Sequence, residues 1–156
     1  MKPAACLVLT LAVFLQPAAA VQAQSFESAC GAADFRVEAT HGSHPLDNVY
    51  RLFGGPHGAA ATLLYTGDVG GWFHAACVKD GHGRPRLLFQ SSCGGSACVE
   101  DKFGIVDPAT LALLLRPGGA NRGNIKQADA LLGRRTPWIA NDGSAFCCDE
   151  LVAARP

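Results

Sequence analysis

The sequence predicts a mainly β domain, with antiparallel meander sheets, one short helix near the C-terminus and disulfide staples. Three observations lead there. Apolar and polar residues alternate with a period of two over short runs, glycine- and aspartate-rich turns separate those runs, and cysteines are spread along the chain. Alternation places successive side chains on opposite faces of a strand, so each run offers one face to a core and the other to solvent.

Phe35, Val37 and Ala39 alternate with Arg36 and Glu38, which marks the first strand. Asn48 to Phe53, Thr62 to Thr66 and Trp72 to Lys79 are the next three β-rich runs. Gly67-Asp68-Val69-Gly70-Gly71 and Asp80-Gly81-His82-Gly83 suit hairpin turns that need positive φ, the second leading into a strand over Arg86 to Ser91. Val99 to Val106 returns as a further strand, and Asp107-Pro108-Ala109-Thr110 turns the chain into Leu111 to Arg116. That last run is nearly all apolar; it fits a strand buried on both faces or a helix, and periodicity does not separate the two. Asn124 to Leu132 reads as the helix, with Asn124 as N-cap, Ile125, Ala128, Leu131 and Leu132 along one side, and Gly133 as its stop.

Residues 1–23 read as a secretory signal: Lys2, an apolar run from Ala4 to Leu15, and small residues that permit cleavage after Ala20 or Ala23. The run is too short for a membrane span of about 20 residues. Residues 24–156 then form a single β-rich domain, expected in a bacterial periplasm, of a size that buries a core by itself. Loss of Cys6 with the signal leaves Cys30, Cys77, Cys93, Cys98, Cys147 and Cys148, an even set that favours a disulfide framework. Cys93 and Cys98 are close enough to bridge each other. Adjacent Cys147 and Cys148 are expected to reach Cys30 and Cys77 in either order, since a vicinal bridge strains the peptide between them. The short loop contributes about 2 kcal/mol by chain entropy and the long ones about 4 to 5 kcal/mol.

The 13 basic and 13 acidic residues balance, and without Lys2 the mature chain stands near −1. Such a chain shows no basic face for nucleic acid. His41, His44 and His57 lack a carboxylate or cysteine at metal-ligand spacing, so they read as solvated loop residues with no metal and no cofactor implied. His74 on its strand suits either a base for a cysteine nucleophile or a sheet-face residue, and the second reading is simpler. Ser96 lacks the glycine pattern and the strand-to-helix turn of a nucleophile elbow. Cys147-Cys148 lacks the two-residue spacing of thiol oxidoreductases. Asp34, Glu100, Asp101 and Asp107 fall on separate strands and turns, giving no assignable acid and base. The chain is therefore read as not an enzyme.

What remains is the segment Ser92-Cys93-Gly94-Gly95-Ser96-Ala97-Cys98. Bridged, it becomes a slim tip whose Gly94, Gly95, Ser96 and Ala97 carry little bulk, and a stiff tip loses little entropy on docking into a cleft. The plainer reading is a staple across a hairpin whose glycines satisfy turn geometry. The run Leu88 to Cys98, with Gly104-Ile105-Val106-Asp107-Pro108 and the Phe146-Cys147-Cys148 ending, resembles the periplasmic immunity proteins that protect bacteria from type VI secretion peptidoglycan amidases. That resemblance covers roughly the second half of the mature chain. It implies a β-rich inhibitor whose loop enters the amidase cleft, with Ser96 meeting the catalytic histidine of a cysteine-histidine enzyme, and a protein partner rather than nucleic acid or a membrane anchor. A cysteine-bounded loop is also found in periplasmic inhibitors of vertebrate-type lysozyme, but theirs carries a proline, a histidine and an acidic residue where this one has Gly94, Gly95, Ser96 and Ala97. A structural envelope domain with no inhibitory role is the third expectation.

Overall fold

A computed structural model describes residues 23–41, 47–67, 72–92, 102–118, 122–137, 139 and 146–147. They build three layers. Strands β1 (Ala23–Cys30), β2 (Ala33–Thr40), β3 (Val49–Pro56) and β4 (Thr62–Thr66) form a four-stranded antiparallel sheet in that order. Strands β5 (Trp72–Lys79), β6 (Pro85–Ser92), β7 (Phe103–Val106), β8 (Leu113–Leu115) and β9 (Phe146–Cys147) form a second antiparallel sheet in the order β8-β7-β6-β5-β9. Helix α1 (Ile125–Leu132) covers the outer face of the second sheet.

The predicted alternation sets the first interface. Ala33, Phe35, Val37 and Ala39 of β2 turn inward with Tyr50 and Leu52 of β3, meeting Phe73 and Ala75 of β5, Leu87 and Phe89 of β6 and Val106 of β7. Tyr65, Phe73 and Phe89 form its aromatic centre: Phe73 and Phe89 stack at 5.3 Å between centroids, and Tyr65 lies 5.0 Å from Phe89. Such pairs add about 0.5–1.5 kcal/mol each beyond the area they bury. Leu88, Phe103 and Ile105 leave the opposite face of the second sheet and pack on Ala128, Leu132 and Ile139. Coverage on both faces explains why every residue from Arg86 to Ser91 and from Phe103 to Val106 is buried.

The expected hairpin at residues 67–71 is not one: β4 and β5 lie in different sheets, so the chain crosses the sandwich there. The turn at Asp80 to Gly83 is a hairpin, with Gly83 at φ +78° and its N–H donating to the Asp80 carbonyl. Leu111 to Arg116 is neither helical nor buried on both faces. Leu111 takes φ +58° as its N–H closes on the Asp107 carbonyl (2.8 Å), and only Leu113–Leu115 extend as a half-exposed edge strand. Two strands escape the sequence reading: β1, whose Ser25-Phe26-Glu27-Ser28 has one large apolar residue, and the two-residue β9.

The cysteine pairing differs from expectation. Cys30 bonds to Cys77, with 5.3 Å between their Cα atoms, and not to Cys147 or Cys148. The reason is the stacking of the sheets: the end of β1 lies over β5, a placement set by tertiary packing. Cys93, Cys98 and Cys148 lie outside the described residues, and Cys147 is placed by its backbone alone. Among the described residues no helix is long and apolar enough to cross a membrane.

Candidate functional site

Two ends of the sandwich offer different chemistry. At one end the Cys30–Cys77 bond joins the sheets. The β5–β6 hairpin is also locked there. Asp80, its side chain wholly enclosed, accepts from the backbone N–H groups of His82 and Arg84 (both 2.9 Å) and from Arg84 Nε (2.8 Å). Arg86 continues the chain of charges, with Nη2 at 3.4 Å from Asp80 and Nη1 at 3.0 Å from Asp107. Burial pushes the Asp80 carboxyl up, but the backbone donors of Arg84 and His82 and the Arg84 side chain outweigh it and hold the acid below its ordinary range. The hairpin reaches the helix as well, since Gly81 N–H donates to the Leu132 carbonyl at 2.7 Å.

At the same end the β3–β4 turn folds over the outer face of the first sheet. His57 Nδ1 lies 2.7 Å from Asp34 Oδ1 and Nε2 lies 3.0 Å from the Gly31 carbonyl, while Gly58 N–H donates to Asp34 Oδ2. Both ring nitrogens face oxygen acceptors, an arrangement that favours the doubly protonated imidazolium. The hydrogen bond to Asp34 raises the His57 pKa, helped by the Gly31 carbonyl; that to His57 lowers Asp34, helped by Gly58 N–H. His57 is thus a clasp, not the freely solvated loop residue expected. In its doubly protonated form it has no lone pair to act as a base. The turn walls an open cleft of about 600 Å³ with Glu27, Ser28 and Ala29 opposite and Arg36 on its floor. Arg36 bonds Glu38 at 3.0 Å and lies over the Phe53 ring. Ser28 is the one hydroxyl side chain among the residues lining this cleft.

The other end carries the segment singled out by sequence. Residues bracketing 42–46, 68–71 and 93–101 gather there: Thr40 pairs with Val49, Arg51 with Thr66 and Trp72 with Ser92, and Ser91 N–H donates to the Lys102 carbonyl at 3.1 Å. Gly67 lies between the two sheets at this end, its N–H donating to the Tyr50 carbonyl, and a Cβ built on it would stand 3.2 Å from Ser91 Oγ. The stretch 93–101 therefore connects two adjacent antiparallel strands from the middle of the second sheet. Gly94, Gly95, Ser96 and Ala97 are outside the described residues, as are Glu100, Asp101 and His44; Ser92 is the last residue of β6.

The base of that connection is polar and closed. Gln90 and Lys102 are fully enclosed and His74 nearly so, and each is engaged by a neighbour. A lysine this buried is rarely tolerated unless it is paired. His74 stands opposite Gln90 on one side and Cys147 on the other, which suits the sheet-face reading. His41 Nδ1 and Asn48 Oδ1 meet at 3.2 Å at the same end. Among the described residues no three His, Cys, Asp or Glu side chains converge in a way that would hold a metal ion. The sequence offered no signal for the Lys102 platform, because a lysine beside a strand reads as exposed.

The chain matches no family model, no curated protein and no solved structure.

Proposed function

We propose that this protein is a non-enzymatic periplasmic inhibitor, an immunity protein of the type VI secretion kind, that blocks the active-site cleft of a peptidoglycan amidase with the segment Ser92 to Cys98. The observation that carries this reading is the setting of residues 93–101. They link β6 and β7, two interior strands of the second sheet, at the end of the sandwich remote from the Cys30–Cys77 bond, where Gln90 and Lys102 are enclosed. A short connection anchored between two such strands would lose little freedom on docking. Bridging Cys93 to Cys98 stiffens it further, and the Ser96 hydroxyl donates to or accepts from catalytic groups in the cleft. Inhibition follows by occlusion.

The test is binding and inhibition of a cysteine-histidine amidase by the wild-type protein and by Ser96→Trp. The bulky indole is expected to weaken binding at least 100-fold with the melting temperature unchanged, as for a hot-spot position on an exposed loop. Peptide mapping under non-reducing conditions is expected to recover a Cys93–Cys98 cross-link. An intact complex with Ser96→Trp would show that the tip does not enter the cleft. The absence of any amidase partner would favour a structural envelope domain.

A further inference from the structure

Among the described residues the two sheets end in four edge strands, β1, β4, β8 and β9, each with a row of backbone N–H and C=O groups turned away from its sheet. Three of the four are blunted. β8 and β9 are three and two residues long, and β1 sets Glu27 among the polar residues Gln24, Ser25 and Ser28. β4 is different. From Gly58 to Gly67 the chain holds neither a charge nor a proline, the residues that most often keep an edge from pairing. Gly58 to Leu63 are all exposed, and Leu63, at 53%, is the most exposed large apolar side chain among the described residues.

The chemistry of an edge decides what covers it. Among the described residues, Thr62, Leu63 and Leu64 make no hydrogen bond on the side turned away from β3. An extended strand is what presents N–H and C=O groups at the spacing to meet them. Like charges opposite one another destabilise a strand pair, so a charged edge repels its own copy, whereas this one faces itself without that cost. The β-bulge at Leu64, between the Phe53–Leu63 and Leu52–Tyr65 pairs, confines regular pairing to the stretch before it. About an axis at Thr62 that stretch is complementary to itself: threonine meets threonine, and the bulk of Leu63 meets the small Ala61. Because the other edges are blunted, association closes at two copies.

We infer that two copies of this chain pair antiparallel through the free side of β4, with Thr62 facing the partner subunit's Thr62 and Leu63 facing the partner subunit's Ala61. β4 runs from the clasped end of the sandwich to the end where residues 93–101 connect strands, so antiparallel pairing points those two ends in opposite directions and leaves both uncovered. The inference stands apart from the inhibitor reading and survives its failure.

Size exclusion with light scattering, over about 10 to 500 μM chain, tests it, since so short a contact lies at the weak end of interfaces and is expected to give a reversible dimer within that range. Thr62→Lys sets two like charges face to face on the axis and should weaken the dimer about 100-fold or more. If that variant fails to fold by circular dichroism, Leu63→Lys replaces it, with the same loss expected and the melting temperature kept, because its side chain is exposed. Leu131→Lys, on the equally solvated side of α1, should leave the dimer as it is. Hydrogen exchange at Thr62 to Leu64 should be slower at the concentrated end of the range than at the dilute end. The inference is overturned by a chain that stays monomeric throughout, by a dimer indifferent to the folded lysine variant, or by dimerisation that leaves exchange at Thr62 to Leu64 unchanged.

Discussion

Gly104 has no room for a side chain. It stands opposite Phe89 in the β6–β7 ladder, and a Cβ built on it would run into the Cζ, Cε1 and Cε2 atoms of the Phe89 ring, far inside the roughly 3.5 Å at which carbon atoms rest. The ring cannot retreat. Phe73 stacks on it at 5.3 Å, Tyr65 lies at 5.0 Å, and the residue is wholly enclosed. Gly104→Ala therefore overpacks the core, at about 1–3 kcal/mol. Displacing Phe89 from two aromatic partners adds about 1–2 kcal/mol, and relief of glycine's backbone entropy returns about 0.5–1 kcal/mol. The expected net loss is about 3 kcal/mol, a fall of roughly 10 °C in melting temperature for a domain of this size. Urea denaturation of the single and double variants checks the cause. In a Phe89→Leu background the same alanine should cost less than about 1 kcal/mol, a coupling of about 2 kcal/mol. A Gly104→Ala melting temperature within a degree or two of wild type, or an equal cost in both backgrounds, would refute the argument.

Removing the Cys30–Cys77 bond by Cys30→Ala/Cys77→Ala opens a loop spanning 47 positions. Chain entropy sets the expected loss at about 4 kcal/mol, measured by denaturation against the oxidised parent. Asn124→Ala withdraws the side chain that accepts from Phe103 N–H (2.7 Å) and donates to the Phe103 (2.7 Å) and Arg116 (3.1 Å) carbonyls. Orphaning these backbone groups should cost about 3 kcal/mol, with hydrogen exchange at Phe103 accelerated. The His57–Asp34 clasp has a pH window. His57, its pKa raised, contributes fully below its ordinary 6.5 and loses that contribution as pH climbs through the raised value; Asp34, its pKa lowered, contributes above 3.8 and loses it as pH falls through the lowered value. Melting of His57→Ala across pH should show its largest deficit between the ordinary values of the two groups, 3.8 and 6.5, and a shrinking one as pH climbs through the raised His57 value; a deficit independent of pH would mean the ion pair is not what holds the turn.

Local pattern was read directly where one face of a strand is apolar. The inward set Phe35, Val37 and Ala39 follows from alternation, because burial on one face leaves its period in the sequence, and the bounds of β4 and β5 follow from β-rich composition between turn residues. β1 left no such trace: it is an edge strand, and pairing with β2 along its full length makes it a strand where Ser25, Glu27 and Ser28 do not. Of the readings open for Leu111 to Arg116, the strand holds over Leu113–Leu115 alone; the unbroken apolar run arises because its leucines serve both cores from a short edge segment after a left-handed turn. Asn124 was recognised as the residue before the helix, yet its side chain makes no capping bond and instead ties the helix to β7. The Cys30–Cys77 bond, the His57–Asp34 clasp and the enclosed Lys102 all join residues whose neighbours in sequence reveal nothing of who stands across from them. Of the candidate site, the sequence disclosed the segment and its composition; the platform beneath it emerged only from the stacking.

The covalent bond, the Asp80 hairpin lock and the His57 clasp all sit opposite the end where residues 42–46, 68–71 and 93–101 connect strands. Stability and the proposed recognition are thereby placed in separate hands. Relatives of this chain can lengthen, shorten or recompose those three connections to follow a changing target while the scaffold keeps its melting behaviour, so divergence among them should concentrate at that rim and leave the fastened pole nearly constant.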